Sequence, residues 1–360
     1  MSDKKKIVVA CGGTGGHVFP GLAVANELKR RGHDVEVWFS GRAIETATHS
    51  GWEGPRFSTG ARQISLRNLP LMLLSLLKCL RAMRKKRPDA VLAMGSYSSL
   101  PPVLAAWLTK VPVVLHEANA VPGKAVDMLS RFAHTVATSF DETAHCLPGR
   151  KVVKTGLPVR EHLINEPRLD EVPEGTFTIF ITGGSQGAHR VNELTSQAMC
   201  LLKQEGFENF FVIHQTGAAD EAFVQELYQK NNVPSRVAAF MKDMGRAYAT
   251  ADLVICRAGA STCFELCLFA KPALLIPLPS AIRDHQHLNA SALVKCGGAD
   301  EGIQRELTGR SITRYIINKR KNPETLKKMS EALKSMAVKG AASRVADLLE
   351  GLSPSKPTHA

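Results

Sequence analysis

The residue types and spacing best suited to chemistry lie in Cys11-Gly12-Gly13-Thr14-Gly15-Gly16-His17-Val18-Phe19-Pro20. An apolar run, Ile7 to Ala10, precedes this stretch and reads as a buried strand, and a helical pattern from Leu22 to Leu28 follows it. Glycines at a strand-to-helix turn let the chain bend sharply and bring backbone amides close to a ligand. His17 sits at or near the expected helix start. An imidazole beside such a turn points to an acid/base group acting where an anion or a sugar is held.

The pattern recurs 171 residues later, where Gly183-Gly184-Ser185-Gln186-Gly187 also follows an apolar strand and precedes a helical pattern. A denser cluster is Cys256-Arg257-Ala258-Gly259-Ala260-Ser261-Thr262-Cys263-Phe264-Glu265. Ser261 and Thr262 bring hydroxyls to helix N-terminal amides, a seat for a diphosphate. Glu265, one turn further, is placed either to accept hydrogen bonds from a ribose diol or simply to support an N-cap. Downstream, Asp284-His285-Gln286-His287-Leu288-Asn289 follows the loop Pro277–Arg283, with Gln286 able to bond a sugar hydroxyl. His285 and His287 are two residues apart and no carboxylate or cysteine set completes them, so no metal site is expected.

In the first half, His116-Glu117-Ala118-Asn119 ends a strand, and its polar groups are expected to point into a ligand cleft. Gly95-Ser96-Tyr97-Ser98-Ser99 ends another and is either a phosphate cradle or a plain β–α connection. Leu71 to Leu77 is the most apolar run and passes into Lys78, Arg81, Arg84, Lys85, Lys86 and Arg87. Leu73, Leu76 and Leu77 with Lys78, Arg81 and Lys85 fit a helix lying on an anionic membrane, or a core helix with a solvated end. Two familiar nucleotide sites fail. Gly13-x-Gly15 is followed by Val18 where a dinucleotide fingerprint needs glycine, and no Gly-x-x-x-x-Gly-Lys-Ser/Thr occurs.

The elements that must position these residues alternate between strand and helix, which argues for α/β domains with parallel sheets. Strands are expected at Ile7–Ala10, Val35–Phe39, Arg56–Ser58, Ala90–Met94, Val111–His116 and Thr135–Thr138, then Thr178–Thr182, Phe210–His214, Val237–Ala239, Leu253–Cys256 and Ala273–Ile276. Helices are expected at Phe19–Arg31, Pro70–Lys86, Leu100–Thr109 and Gly123–Phe132, and at the end over Pro323–Lys339 and Ala341–Glu350. At 360 residues the chain exceeds a usual single core, so two domains are expected, 1–158 and 159–352, with the last helix left open to pack back on the first. Residues 353–360 carry no apolar pattern and are expected to be disordered.

Composition narrows the partners. Residues 1–160 hold 23 Lys+Arg against 11 Asp+Glu, a net of +12, while 161–360 hold 23 against 22. The first half alone is therefore built to face something anionic. Bases are not interleaved with aromatics and aromatic content is 6%, which favours a phospholipid surface over nucleic acid. Lys4-Lys5-Lys6 leads straight into a strand, so no signal peptide is expected, and no run reaches the length that spans a bilayer. Eight scattered cysteines without a Cys-x-x-Cys pair read as reduced, buried thiols of a cytoplasmic protein.

Five motifs in order resemble the MurG family of N-acetylglucosaminyltransferases over essentially 1–350: Gly12 to Gly21, Val113-Val114-Leu115-His116-Glu117-x-Asn119, Gly156-x-Pro158-Val159-Arg160, Gly183 to Ala188, and Arg257 to Thr262 with Glu265. The resemblance implies a GT-B fold, two doubly wound Rossmann-like domains facing a central cleft, with the donor held mainly by the second. It implies inverting, metal-independent transfer from UDP-N-acetylglucosamine to the muramoyl 4-hydroxyl of an undecaprenyl-diphosphate-linked MurNAc-pentapeptide, without a cofactor, peripherally at the cytoplasmic face of the inner membrane. It assigns donor contacts to Thr14, Gly15, Gly16, Asn119, Arg160, Ser185, Met241, Ala260, Ser261, Thr262, Cys263, Phe264, Glu265 and Gln286. Gly13, Gly95, Ser96 and Tyr97 fall to the acceptor phosphate, and His17 to the base, with Glu117 a rival. In the expected mechanism the leaving diphosphate meets amides at helix starts near Ser185 and Ser261–Thr262.

The chain departs from the family at Leu157, where asparagine is usual, at Ser96, where a second glycine is usual, and at Met241, often isoleucine. A UDP-N-acetylglucosamine 2-epimerase, which can share this architecture, and a non-catalytic membrane-surface sugar-nucleotide sensor are the alternatives.

Overall fold

The computed structural model describes residues 4–13, 15–41, 52–62, 65–159 and 161–352, the side chains of Leu66, Glu161 and His162 excepted. Thr14, Arg160 and the expected disordered tail 353–360 lie outside the described residues. The chain divides into two compact units, Met1–Arg160 with Val338–Ala360, and Glu161–Ala337.

The first unit carries a seven-stranded sheet in the order β3-β2-β1-β4-β5-β6-β7, all pairs parallel. Its strands are β1 (Lys6–Ala10), β2 (Asp34–Phe39), β3 (Arg56–Ser58), β4 (Ala90–Ala93), β5 (Val113–Glu117), β6 (Thr135–Thr138) and β7 (Val152–Lys154). The helices used below are α1 (Gly15–Arg30), α2 (Leu69–Lys86), α3 (Leu100–Leu108) and α4 (Lys124–Leu129). β1, β4 and β5 are buried on both faces, and their Val/Ile/Leu/Ala runs follow from that. This strand order is doubly wound, and it places the loops after β1 and β4 side by side at the sheet's carboxyl edge.

The second unit repeats the plan with six parallel strands in the order β10-β9-β8-β11-β12-β13. They are β8 (Phe177–Thr182), β9 (Phe210–Gln215), β10 (Ser235–Ala238), β11 (Leu253–Cys256), β12 (Ala273–Leu275) and β13 (Ala299–Glu301). Helices α5 (His189–Gln204), α6 (Glu221–Lys230), α7 (Met244–Thr250), α8 (Ala260–Phe269), α9 (His285–Lys295), α10 (Gly309–Lys321) and α11 (Pro323–Met336) follow in turn.

The last helix, α12 (Ala341–Glu350), groups with the first unit although the second precedes it in sequence. Val345, Ala346 and Leu349 are fully buried in one core with Val24, Ala25 and Leu28 of α1. Arg31, just past α1, donates to Asp347 at 2.6 Å and Glu350 at 3.0 Å, and His33 meets Glu350 at 2.8 Å. Lys5 Nζ donates to the carbonyls of Glu350 and Leu352. A helix amphipathic enough to need a partner thus finds it on α1.

Three expectations change. α1 begins at Gly15, four residues before Phe19, so the glycines and His17 form its first turn. β7 and β13 were not anticipated; each is a three-residue edge strand without an apolar run. Leu76 is only partly exposed on α2: it packs against the core shared with Cys79 and Met83.

Candidate active site

On the first unit the glycine loop is shaped by its neighbours. A side chain at Gly12 would approach Ser98 Oγ to 2.8 Å and Ser40 N to 2.9 Å, so the loops after β2 and β4 press on it directly. Gly13 adopts φ +113°, a left-handed conformation that a side chain disfavours. The space its missing side chain leaves is bounded by Ser96 Oγ at 3.5 Å and His17 Nδ1 at 4.0 Å. Gly13, Ser96 and His17 therefore lie together at the start of α1, where helix N-terminal amides and the helix dipole favour negative charge.

Ser96, one of the departures, has a clear task. Its Oγ donates to Gly12 O at 2.8 Å and accepts from Ser98 N–H at 3.2 Å, tying the loop after β4 to the loop after β1. Gly95, at φ +84°, cannot take a side chain, which would meet His116 O at 2.6 Å. Tyr97 opens a short 3-10 turn, Tyr97–Ser99, and is half-buried. The other departure, Leu157, is a core residue, 1% exposed.

His17 is half-buried, and desolvation pulls its pKa down to about 4. It is therefore a neutral imidazole at pH 7, with a lone pair to accept a proton. His116 and Glu117 do not point into open space as expected. Both are buried, because the strand they end is central and covered on both faces. His116 Nε2–H donates to Gly156 O at 3.1 Å, and burial, with His17 nearby, draws its pKa down to about 4. Glu117 Oε1 accepts from Asn119 N–H at 2.9 Å and Asn119 Nδ2 at 3.0 Å, and Oε2 accepts from Gly123 N–H at 2.9 Å. Burial pushes the Glu117 pKa up, and these donors oppose the push. The carboxylate builds the turn that carries Asn119, which stays half-buried, and both oxygens are engaged in doing so. Gly15 and Gly16 lie in the first turn of α1, with Gly16 exposed.

On the second unit the expected diphosphate seat is the start of α8. Its N-cap, Gly259, offers no side-chain cap bond, and Ala260, Ser261 and Thr262 are half-buried in the first turn. Glu265 lies one turn on and accepts from Tyr248 OH at Oε2, 3.0 Å. Cys263 and Phe264 face the core, at 0% and 7% exposure, so their side chains are not presented to a ligand. Ser185 is exposed on the turn after β8, but α5 starts only at His189; the expected helix start at Ser185 is a loop instead. Met241 is buried, and Gln286 Oε1 accepts from Leu278 N–H at 3.0 Å. His285 and His287 turn to different partners, Ile282 O at 2.8 Å and Glu301 at 2.5 Å. Among the described residues there is no group of three or more metal-ligating side chains.

Two supports escaped the sequence reading. Arg257, 8% exposed, donates to Ile276 O and Pro277 O at 3.0 Å and to Gln304 at 2.6 Å, fixing the loop after β12 beside α8. Asn289, fully buried, donates to Ala258 O at 3.1 Å and ties α9 to the turn that starts α8. An arginine and an asparagine inside signature-like runs were the available signals.

On α2, Leu73, Leu74 and Leu77 are exposed at 58%, 62% and 42%, beside exposed Leu69 and Leu71, and α3 adds Trp107 and Leu108. Arg81 and Lys85 are exposed as well. Lys78 instead reaches back, donating to Ser58 O with its ammonium 5.0 Å above the Phe57 ring. Among the described residues no helix is long and apolar enough to cross a membrane.

Comparison with known proteins agrees with this layout. Residues 7–138 match the glycosyltransferase family 28 N-terminal domain and 178–345 its C-terminal domain. The UDP-N-acetylglucosamine–N-acetylmuramyl-(pentapeptide) pyrophosphoryl-undecaprenol N-acetylglucosamine transferase of Trichlorobacter lovleyi is 36% identical, over 98% of this chain and 100% of its own. The protein of that name from Anaeromyxobacter sp. is 38% identical over 95% and 92%. The crystal structure of Acinetobacter baumannii MurG superposes with a TM-score of 0.78 at 32% identity, covering 96% of this chain and 99% of that one. Identity at this level across the whole length, with both domains matched, means that the chain belongs to the MurG family of glycosyltransferases.

Proposed function

We propose that this chain transfers N-acetylglucosamine from UDP-N-acetylglucosamine to the muramoyl 4-hydroxyl of the undecaprenyl-diphosphate-linked MurNAc-pentapeptide, the step that completes the lipid-linked peptidoglycan precursor. Full-length similarity to transferases of that name supports the reading, and the close grouping of Gly13, Ser96 and His17 at the start of α1 supports it chemically. That grouping places a basic group beside a helix start suited to an anion, which is what an acceptor with a hydroxyl near a diphosphate requires.

The acceptor hydroxyl attacks the anomeric carbon as His17 takes its proton. The C1–O bond to UDP breaks on the opposite face, so configuration inverts and the electron pair leaves with the diphosphate. The unshielded amides at the start of α8, with the Ser261 and Thr262 hydroxyls, meet the charge that develops there. Asn119, Ser185, Glu265 and Gln286 contact the donor, with the buried Met241 backing the segment beside it; Gly13, Gly95, Ser96 and Tyr97 hold the acceptor phosphate. Glu117 is the builder of the Asn119 turn and not the base.

The first unit docks peripherally on the cytoplasmic face of the inner membrane through the leucines of α2 and Trp107, steered by the +12 of residues 1–160. Leu73→Glu with Leu77→Glu should abolish sedimentation with anionic vesicles while leaving turnover of a short-chain, water-soluble acceptor intact; unaltered sedimentation refutes this docking face. For the reaction, radiolabelled UDP-N-acetylglucosamine is incubated with and without the lipid-linked acceptor. Label is expected in the lipid only when acceptor is present. Label emerging as epimerised sugar nucleotide would overturn the transferase reading in favour of an epimerase, and tight nucleotide binding without any turnover would favour a sensor.

A further inference from the structure

The second unit contains a buried amide that links two of its ligand-facing segments and lies outside the residues proposed to touch the donor. Gln215 is the last residue of β9 and is 1% exposed. Its Nε2 donates to Thr182 Oγ1 at 3.2 Å and to Gly184 O at 3.0 Å, and its Oε1 accepts from Met241 N–H at 2.9 Å. Only one orientation of the amide satisfies all three partners, because Gly184 presents a carbonyl and Met241 an N–H. Thr182 Oγ1 also accepts from Gly184 N–H at 3.1 Å, so Gln215 and Thr182 together grip the glycine loop at both polar groups of Gly184.

The backbone around this amide leaves little slack. A side chain at Gly187 would come within 1.9 Å of Thr216 O, and one at Gly217 within 2.2 Å of Gln186 O, so the turns after β8 and β9 lie backbone against backbone. Asn192, fully buried, donates to Thr216 O at 2.8 Å and holds the second turn from beneath. Backbone bonds from Thr216 N–H to Ala238 O and from Gly217 N–H to Ala239 O, both 3.0 Å, hold the turn after β9 to the chain before Met241, and Gln215 is the side chain that bridges directly from Met241 to the loop bearing Ser185.

We infer that Gln215 is the positioning residue of the donor half-site: its amide fixes the separation of the Gly184–Gly187 loop and the Met241 segment, and thereby sets affinity for the uridine diphosphate part of the donor. The inference rests on the reading that this unit holds the donor. Gln215 touches no substrate atom, so its loss weakens binding of ground state and transition state alike.

The test uses the full chain. Gln215→Glu keeps an acceptor for Met241 N–H but turns a carboxylate oxygen toward Gly184 O. Thr182→Val removes the shared hydroxyl while keeping strand propensity and volume. Both variants should raise the Kd for UDP, by calorimetry, and the KM for UDP-N-acetylglucosamine by about tenfold, the factor carried by roughly one buried hydrogen bond. Turnover at saturating donor and the acceptor KM should stay within about twofold, the signature of lost uniform binding. In Gln215→Glu, donor affinity should recover as pH falls, since a protonated carboxyl again donates to Gly184 O; Thr182→Val should show no such recovery. Wild-type UDP affinity in the variants, or a loss confined to kcat, overturns the inference. Failure of the wild-type chain to bind UDP would instead overturn the donor reading on which it rests.

Discussion

Glu117→Gln separates a carboxylate that builds the site from one that performs the chemistry. The native side chain accepts three N–H donors, two at Oε1 and one at Oε2. Glutamine can keep its oxygen where Oε1 lies, retaining both contacts with Asn119, but its NH2 then faces Gly123 N–H at the 2.9 Å separation of the native bond. One bond to a charged acceptor is lost, worth about 1.5–3 kcal/mol, and a buried donor is left facing another donor. The sum is about 2–4 kcal/mol of stability, hence a fall in melting midpoint of roughly 5–15 °C for a domain of this size. Turnover measured well below the new midpoint should fall modestly and donor KM should rise, because the turn that carries Asn119 loses its tie at Gly123. Differential scanning calorimetry and initial-rate kinetics on the same preparation check both. An unshifted midpoint with turnover down about a thousandfold, the scale of lost general base catalysis, would refute the structural assignment.

Other outcomes follow from the desolvated imidazoles. His17→Ala should lower turnover by about 10²–10⁴ while calorimetric UDP affinity is unchanged; retained turnover removes His17 from the reaction. His17 must be neutral to act, and burial holds its pKa near 4. The acid limb of kcat/KM for the acceptor should therefore lie near pH 4–5, and a limb at the ordinary histidine value would contradict the burial argument. Stability should also respond to pH. His116 and His214, one in each unit, are buried neutral with pKa values near 4 and 3. Below about pH 6.5 the unfolded chain binds protons at these sites and the folded chain does not, so each removes up to about 1.4 kcal/mol per pH unit as pH falls. Denaturant midpoints that stay level between pH 6.5 and 5 would count against this.

The central strands were legible because burial on both faces forces continuous apolar runs such as Ile7–Ala10 and Leu253–Cys256. The edge strand β13 reads Ala-Asp-Glu and gave no such signal; it exists because Leu275 and its neighbours offer an unpaired edge. Gly15 and Gly16 are poor helix formers, so propensity placed the start of α1 after them, whereas the doubly wound connection draws them into the first turn. That Ser261, Thr262 and His17 sit in the first turns of helices following strands was legible from their positions. Glu117, whose type and position at a strand end pointed into a ligand cleft, is buried instead, and that it faces N–H donors of Asn119 and Gly123 depends on a turn closed six residues on. Gln215 was invisible for a related reason. A glutamine ending an apolar strand looks like a solvent-facing terminus until two other strands are placed beside it.

The docking of α12 on α1 has a consequence for synthesis. The face of α1 bearing Val24, Ala25 and Leu28 shares its core with Val345, Ala346 and Leu349. When the first 160 residues leave the ribosome, that face has no cover, and the 177 residues Glu161–Ala337 must be translated before the covering helix emerges. At about 5–20 residues per second this is a delay of roughly 10–35 s. The nascent first unit therefore waits with an apolar stripe open to water, a surface for a holdase or for another nascent chain. Its last core layer closes only when Ala341–Glu350 emerges, so the second unit is synthesised before the first is sealed.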